Sequence, residues 1–369
     1  MKEYRISDIE NIVIHGRTGS GRDPLVLFWT GSGVELNLRA AEAYLEVETD
    51  YDIFEQWVSV EVNGTVISRQ MLPKGRSRVG LFRGMDAEKV TNVRVYKEVQ
   101  PMSTDDANML LVHSLLTDGE IMPISERKTK IEFIGDSLTS GEGLNGAVGE
   151  IQWISQWFSS VKGYTRLVSK ELCADYRVVS QSGWGVLSSW DNDPRNTLPR
   201  IYDHVCGVVS GERNMSFGAG EINDFAAWQP DIIFINLGAN DIGAFNNPEW
   251  VGEDGQRFKQ RKEPDGSYNK EDLARLTDAA ESFLIKIRKY NPSAKICWIY
   301  GMLGYELFDC FDEAVSRCRA AGDDNVFAKK ISPAKDEDIG SREHPGERAN
   351  IIAANEVAAI ARELLEAKP

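Results

Sequence analysis

A change of rhythm along the chain limits most strongly how it can fold. Through residues 1 to about 105, apolar and polar side chains alternate in short runs such as NIVIHGR, LVLFWTG, VELNLRA, AYLEVETD, WVSVEVNG and VTNVRVYKE, separated by Gly, Asn, Asp or Pro. A period of two with frequent turn residues describes half-buried antiparallel strands, so residues 1–105 are expected to form a β-sandwich. Asn63-Gly64 lies between two such runs and suits a tight hairpin turn. Trp29, Tyr44 and Trp57 are expected to fill the sandwich core.

After a less regular connection at 106–128 the pattern becomes strand, motif, helix. KIEFIGDS (130–137), YRVVSQSGWG (176–185), PDIIFINLGAND (230–241) and AKICWIYGMLG (294–304) are continuous apolar runs. Segments of helical period, including YTRLVSKELCADY and KEDLARLTDAAESFLIKIRKYN, lie between them. Strands buried on both faces and joined through helices build a parallel sheet, so residues 129–369 are expected to be an α/β domain. All four runs end in small or polar residues: Gly-Asp-Ser, Ser-Gly-Trp-Gly, Gly-Ala-Asn-Asp and Gly-Met-Leu-Gly. The carboxyl ends of parallel strands share one edge of the sheet, where ligands bind, so these four motifs are expected to meet.

Composition narrows the partners. A net charge of −15 repels nucleic acid and acidic membrane surfaces, and the chain holds no run of about 20 apolar residues. The opening MKEYRISDIENIVIHGRTG lacks the apolar stretch of a secretory signal, so the expected location is cytoplasmic. Five cysteines, an odd number without a C-x-x-C pair, are expected to be free thiols, and neither a zinc site nor calcium-loop spacing is present; no cofactor or metal is expected. The charged, turn-rich segment 246–270 is expected to be a surface loop that shapes a cleft or a homo-oligomer contact.

A serine hydroxyl becomes a nucleophile when a base takes its proton and fixed donors hold the resulting oxyanion. Ser137 stands where a strand turns into a helix among Gly135, Gly141 and Gly143, and its own amide is a candidate donor. The alternative is that Ser137 or Asp136 merely caps the helix. Of the four histidines, His15 lies on an early strand, His113 in the connection and His204 in a helical stretch, which leaves His344 as the base by elimination. His344 precedes Pro345 at the start of the closing helix, a loop position from which its ring can face the sheet edge. Gly185 can supply a backbone N–H and Asn240 its carboxamide, against the alternatives of a tight turn and an Asx turn.

With these residues the chain resembles the GDSL, or SGNH, hydrolases: GDSL at 135–138, Gly185, GAND at 238–241 and His344 stand in the family's order. The resemblance spans roughly residues 129–366. It implies a flavodoxin-like three-layer α/β/α fold, Ser137 as nucleophile, His344 as general base and acid, and an oxyanion hole of the Ser137 and Gly185 amides with the Asn240 side chain. A jelly-roll sandwich ahead of this domain, together with KIEFIGDSLTSGEG, NDFAAWQPDIIFINLGAND and ICWIYGMLG, is similar to carbohydrate esterase family 2. That likeness implies removal of O-acetyl groups from xylan and related hemicellulosic saccharides through an acetyl-serine intermediate, with an acetylated oligo- or polysaccharide as partner. It also implies a tryptophan near the site that contacts sugar, matched by Trp298, although a place within a strand equally suits a buried residue.

The match is incomplete. The superfamily's aspartate three residues before its histidine is here Ser341. Either Asp338, Asp336 or Glu343 supplies a third acid, or the enzyme works as a Ser-His dyad with a backbone carbonyl on Nδ1, the arrangement favoured here. Two other functions fit less well: an esterase or thioesterase of other short-chain acyl esters, and an inert carbohydrate-binding protein.

Overall fold

The structure, a computed structural model, describes residues 1–366. The alternating half forms two antiparallel sheets. One runs in the order Lys2–Arg5, Met109–Thr117, Glu42–Asp50, Gly75–Arg83; the other runs Glu120–Met122, Gly33–Arg39, Thr91–Lys97, Gln56–Val62, Thr65–Leu72. Their inward positions, among them Leu36, Leu45, Val58, Val79, Val93 and Leu110, close on one another as a single aliphatic core. Asn63 and Gly64 take φ of 48° and 81° and join Val62 to Thr65 by a two-residue turn, as the dipeptide predicts.

Two expectations fail here. Segment 106–128 is not merely a connection: Met109–Thr117 pairs with three other strands at the centre of its sheet, and Glu120–Met122 edges the second. Its apolar run LLVH broke the period of two because the strand is covered on both sides. The aromatics also miss the sandwich core. Tyr44 and Trp57 are only half-buried, and the fully buried Trp29 packs into the other domain's core and donates from Nε1 to the Val205 carbonyl at 2.7 Å.

The second half is a five-stranded parallel sheet in the order Asp175–Ser180, Lys130–Gly135, Ile232–Asn236, Lys295–Tyr300, Val326–Lys330. The last of these, VFAKK, is short and half polar, and the sequence pattern did not mark it. Helices Tyr164–Glu171 and Glu347–Glu366 cover one face, through Val168, Ala354, Val357 and Ala358 against Phe133, Val178 and Phe234. Lys270–Tyr290 and Phe308–Ala320 cover the other, through Phe283, Leu284 and Phe311 against Ile235, Ile296 and Trp298. The result is the expected three-layer α/β/α domain. Register then does the convergence: Gly135 stands beside both Ser180 and Asn236, so three motifs leave the sheet at one level.

The sandwich is docked by polar contacts as well as by Trp29. Arg17 donates to Glu132 at 3.0 Å, His15 joins Asp175 at 2.8 Å, and Arg166 donates to the Tyr96 hydroxyl at 2.7 Å. Gln100, just beyond the strand Thr91–Lys97, accepts from the Ser182 N–H at 2.8 Å and its hydroxyl at 3.0 Å. The sandwich therefore holds one of the loops at the sheet edge directly.

Candidate active site

Strand Lys130–Gly135 breaks into the helical turn Ser137–Ser140, capped by Asp136, whose carboxylate accepts the Leu138 N–H at 3.1 Å. Burial pushes the Asp136 carboxyl up to about 7, against the pull of that N–H. The capping duty thus falls on Asp136 and leaves the Ser137 hydroxyl free. That hydroxyl stands 2.8 Å from His344 Nε2, and the sequence alternative for Ser137 as a cap is excluded.

His344 is carried on a loop sewn to the Gly-Glu-Gly tail of the serine motif. Ser341, in the family's acid position, donates from N to the Gly143 carbonyl at 3.2 Å and from Oγ to the Asn145 carbonyl at 2.8 Å. Gly143 has φ of +82°, and a Cβ there would stand 2.6 Å from both His344 Cβ and the Ser341 carbonyl, so only glycine permits this approach. The ring's other nitrogen, Nδ1, lies 2.6 Å from the Arg342 carbonyl. A carbonyl can only accept, so Nδ1 carries the hydrogen and Nε2 is the acceptor for the serine.

Arg342 presents that carbonyl from the left-handed region, φ 59° and ψ 24°, which a non-glycine residue adopts at a cost of about 1–2 kcal/mol. Its partners hold it there. Its N–H donates to the Glu150 carbonyl at 2.7 Å, Nη1 to the Ile151 carbonyl at 2.6 Å, and Nε to Glu142 Oε1 at 3.0 Å. The buried Glu142 carboxylate also lies 3.9 Å from His344 Nε2. None of the three candidate acids reaches the imidazole: Asp336 and Glu343 are exposed, and Asp338 is buried against Arg348 Nε at 3.4 Å.

Asn240 lines the same cavity and donates one carboxamide hydrogen to the Trp184 carbonyl at 3.0 Å, which orients the group and leaves its second hydrogen for an acceptor. Gly185 follows Trp184 in the chain but is buried and is not among the residues that line the cavity. A Cβ at Gly185 would meet the Ser188 carbonyl at 2.3 Å and Asp241 Oδ2 at 2.5 Å, so this glycine is required for the approach of Asp241. Asp241, read from sequence only as part of an Asx turn, is buried and accepts the N–H groups of Val186 and Leu187, each at 2.9 Å. Burial raises its carboxyl, and these amides oppose the rise. Gln260 reaches back from the 246–270 loop to donate to Asp241 at 3.3 Å and Ser188 at 2.9 Å. That loop is mostly exposed, yet one buried residue ties it to the site.

Trp298 requires correction. It is fully buried, stacks on Phe311 at 4.4 Å and donates to the Leu237 carbonyl at 3.2 Å, so it cannot touch a sugar. Its strand is covered on both faces. Trp153, Trp184 and Trp190 line the cavity instead, and Trp190 is 51% exposed. The cavity holds about 520 Å³ and also borders Ser103, Thr104 and Asn196. Sequence reading passed over these tryptophans, although WISQWF, SGWG and SSWD place each in a turn-rich stretch beside a motif.

Residues 131–357 match the family described as GDSL-like lipase/acylhydrolase. Among solved structures, an acetyl xylan esterase, Est2A, from the rumen bacterium Butyrivibrio proteoclasticus is 42% identical with a TM-score of 0.97 over 99% of this chain and 98% of that one. A family two carbohydrate esterase from Clostridium thermocellum in complex with cellohexaose has a TM-score of 0.78 at 22% identity, over 96% of this chain and 99% of that one. Among curated proteins, the cellulase/esterase CelE of Acetivibrio thermocellus is 25% identical over 328 residues, which is 86% of this chain and 35% of that protein. An acetylxylan esterase / glucomannan deacetylase of Cellvibrio japonicus is 25% identical over 63% of this chain and 62% of its own length. The chain spans less than two thirds of the length of either curated relative.

Proposed function

The chain belongs to the GDSL-like lipase/acylhydrolase family and is a carboxylic ester hydrolase, and from that premise we propose that it removes O-acetyl groups from xylan-derived or related hemicellulosic saccharides through an acetyl-serine intermediate. The observation that carries the reading is the 2.8 Å contact between Ser137 Oγ and His344 Nε2, on a histidine whose tautomer is set by the Arg342 carbonyl. The family two carbohydrate esterases among its structural neighbours support a carbohydrate ester as substrate.

In the proposed reaction the Ser137 hydroxyl passes its proton to His344 Nε2 as Oγ bonds to the acetyl carbonyl carbon. The oxyanion is met by the Ser137 N–H, the free carboxamide hydrogen of Asn240 and the Gly185 N–H, each worth on the order of 10²–10³-fold. The imidazolium then returns its proton to the departing sugar oxygen. A water molecule repeats the sequence on the acetyl-serine, giving acetate and the free serine. Glu142, 3.9 Å from Nε2 and paired with Arg342 Nε, faces the positive charge as it forms. Release of acetate from acetylated xylo-oligosaccharides tests the reading directly, and turnover of aryl acetates with none of the saccharides would overturn it.

Two further expectations follow. Asp338→Asn should change kcat by less than about threefold, because the Arg342 carbonyl already holds Nδ1; a triad acid would cost about 10⁴-fold. Steady-state rates on an aryl acetate decide between the two. Trp190, half-exposed on the cavity rim, offers a face for a sugar ring, so Trp190→Ala should raise KM for an acetylated oligosaccharide about tenfold with kcat nearly constant. An unaltered KM would remove Trp190 from the substrate contact.

A further inference from the structure

The active-site cavity does not end at Trp184. On its far side a second groove of about 600 Å³ shares Ser103, Trp184 and Asn196 with it, so the two are halves of one cleft divided by the tryptophan. Their charge differs. The catalytic half is lined by Glu142, Asp191 and Arg342, whereas the second half carries Arg195, Arg200 and His204 and no carboxylate. In a chain of net charge −15, a groove lined by two arginines and no carboxylate is a selective feature.

The acids that flank the groove are already held. Asp193 accepts from Arg195 Nη2 at 2.8 Å, and Asp203 accepts from Lys286 Nζ at 2.6 Å while lying 3.5 Å from His204 Nδ1. Arg200 is exposed on the short helix Leu198–Ile201 and forms no hydrogen bond or ion pair among the described residues. Between these polar groups the groove wall is apolar, with Ile201, Val208 and Met215. An apolar wall beside the Arg200 guanidinium suits a ring that has a nonpolar face and carries an anionic substituent at its edge.

We propose that this second half of the cleft is a subsite for a sugar unit bearing a carboxylate, so that the preferred substrate is an acetylated oligosaccharide decorated with a uronic acid, whose carboxylate is received by Arg200 with Arg195 beside it. The inference rests on the saccharide reading above. It assigns the catalytic half to the acetylated residue and the cationic half to a charged neighbour in the same molecule. Planar guanidinium groups pair with carboxylates through two parallel hydrogen bonds, which makes Arg200 better suited to this than a lysine.

The test compares acetate release from two acetylated xylo-oligosaccharides that differ only in one uronic acid substituent. With the unaltered protein at low salt, kcat/KM should favour the acidic substrate about tenfold, through KM, the size expected of one charge-assisted hydrogen bond. Raising the salt to about 1 M, where the Debye length is ~3 Å, should bring the ratio toward one. Arg200→Gln should do the same at low salt, and Arg200→Lys should restore only part of the preference. Equal kcat/KM for the two substrates, or a preference that survives both the salt and Arg200→Gln, overturns the proposal while leaving saccharide deacetylation standing. Absence of acetate release from both substrates, with an aryl acetate still hydrolysed, removes the saccharide reading and this subsite with it.

Discussion

Ser137→Ala should lower kcat on any acetyl ester by about 10⁴–10⁶-fold while the protein folds as before. The rate loss follows from chemistry: without the hydroxyl no acyl-enzyme forms, and what remains is catalysis by the oxyanion donors and by substrate binding alone. Preservation of the fold follows from the division of labour at the strand end. The helix cap is Asp136 and not Ser137, and the one side-chain hydrogen bond lost is that to His344, about 1 kcal/mol. His344→Ala should give a loss of similar size, and the double variant should be scarcely worse than either single one, because the two groups act as a unit. Rates measured with an aryl acetate, alongside urea unfolding curves, check both halves of the expectation. Turnover within tenfold of the unaltered protein in Ser137→Ala would remove Ser137 from the chemistry.

In the proposed reaction the Ser-His pair works without an aspartate on Nδ1, which depends on backbone geometry that no motif announces. The position three residues before the histidine reads as a defect in the sequence, since it is Ser341. In the structure Ser341 anchors the loop to Asn145, and the orienting role passes to the carbonyl of Arg342. That carbonyl is available because Arg342 sits in a left-handed conformation held by Glu142 and by two backbone carbonyls from the 150–151 stretch. A backbone acceptor leaves no side-chain signature, which is why the dyad could be favoured from the sequence but its acceptor could not be named.

The first three strand-end motifs were readable because a parallel sheet buried on both faces forces continuous apolar runs, and because chemistry at its edge forces small and polar residues after them; the fourth, 301–304, follows the same pattern but lines a separate small pocket and does not border the active-site cavity. Trp298 was misread because a tryptophan in a strand carries no mark of which layer it faces. Trp190 was missed because exposed aromatics in turns have no period. Segment 106–128 was read as a connection because a strand covered on both sides loses the alternation by which the other sandwich strands were found. Asp241 and Gln260 support the Gly185 turn across distances of 53 to 72 residues in the chain, and only the folded register brings them there.

The second large effect lies between the two domains. His15, on an early sandwich strand, is fully buried between two carboxylates: Nδ1 lies 2.8 Å from Asp175 Oδ1 and Nε2 lies 3.0 Å from Glu35 Oε2. Both acceptors are anions, so both ring nitrogens donate. Asp175 begins the edge strand of the parallel sheet, whereas Glu35 belongs to the sandwich and also receives Arg127 at 2.7 and 2.8 Å. Burial by itself would raise the carboxyl of Glu35, but hydrogen bonds from His15 and Arg127 outweigh it and hold that group well below the usual carboxylate range. For Asp175 burial is likewise outweighed, by His15 and by the Trp228 indole N–H. His15→Gln keeps the approximate shape and removes the ring that joins the two carboxylates, leaving Asp175 with the Trp228 N–H and the more distant Arg94. The expected loss of stability is about 3–5 kcal/mol at neutral pH, the cost of removing one partner of a buried ion pair.

Acid titration gives this expectation a sign that packing alone does not share. A carboxyl whose folded pKa is depressed contributes stability above its unfolded value near 4, and that contribution is lost as pH falls through the folded value. In the unaltered protein the contribution of Glu35 and Asp175 is therefore intact at pH 7 and fades below about pH 4. In His15→Gln Asp175 regains a proton more easily, whereas Glu35 keeps Arg127, so acidification relieves the variant at Asp175 while it weakens the unaltered protein. From about pH 5.5, where an unfolded histidine is itself charged, toward about pH 4 the difference between the two should shrink, as read from urea midpoints at those values. A deficit that is constant across that range would mean that the histidine acts by volume and shape, and one that grows across it would contradict the assignment of charge at this joint. Because one of the two acids begins the strand Asp175–Ser180, which leads into the Gln181 and Trp184 wall of the cavity, the same variant should also lower kcat/KM. Loosening the joint would loosen the loop that Asn240 and Gln100 hold in place.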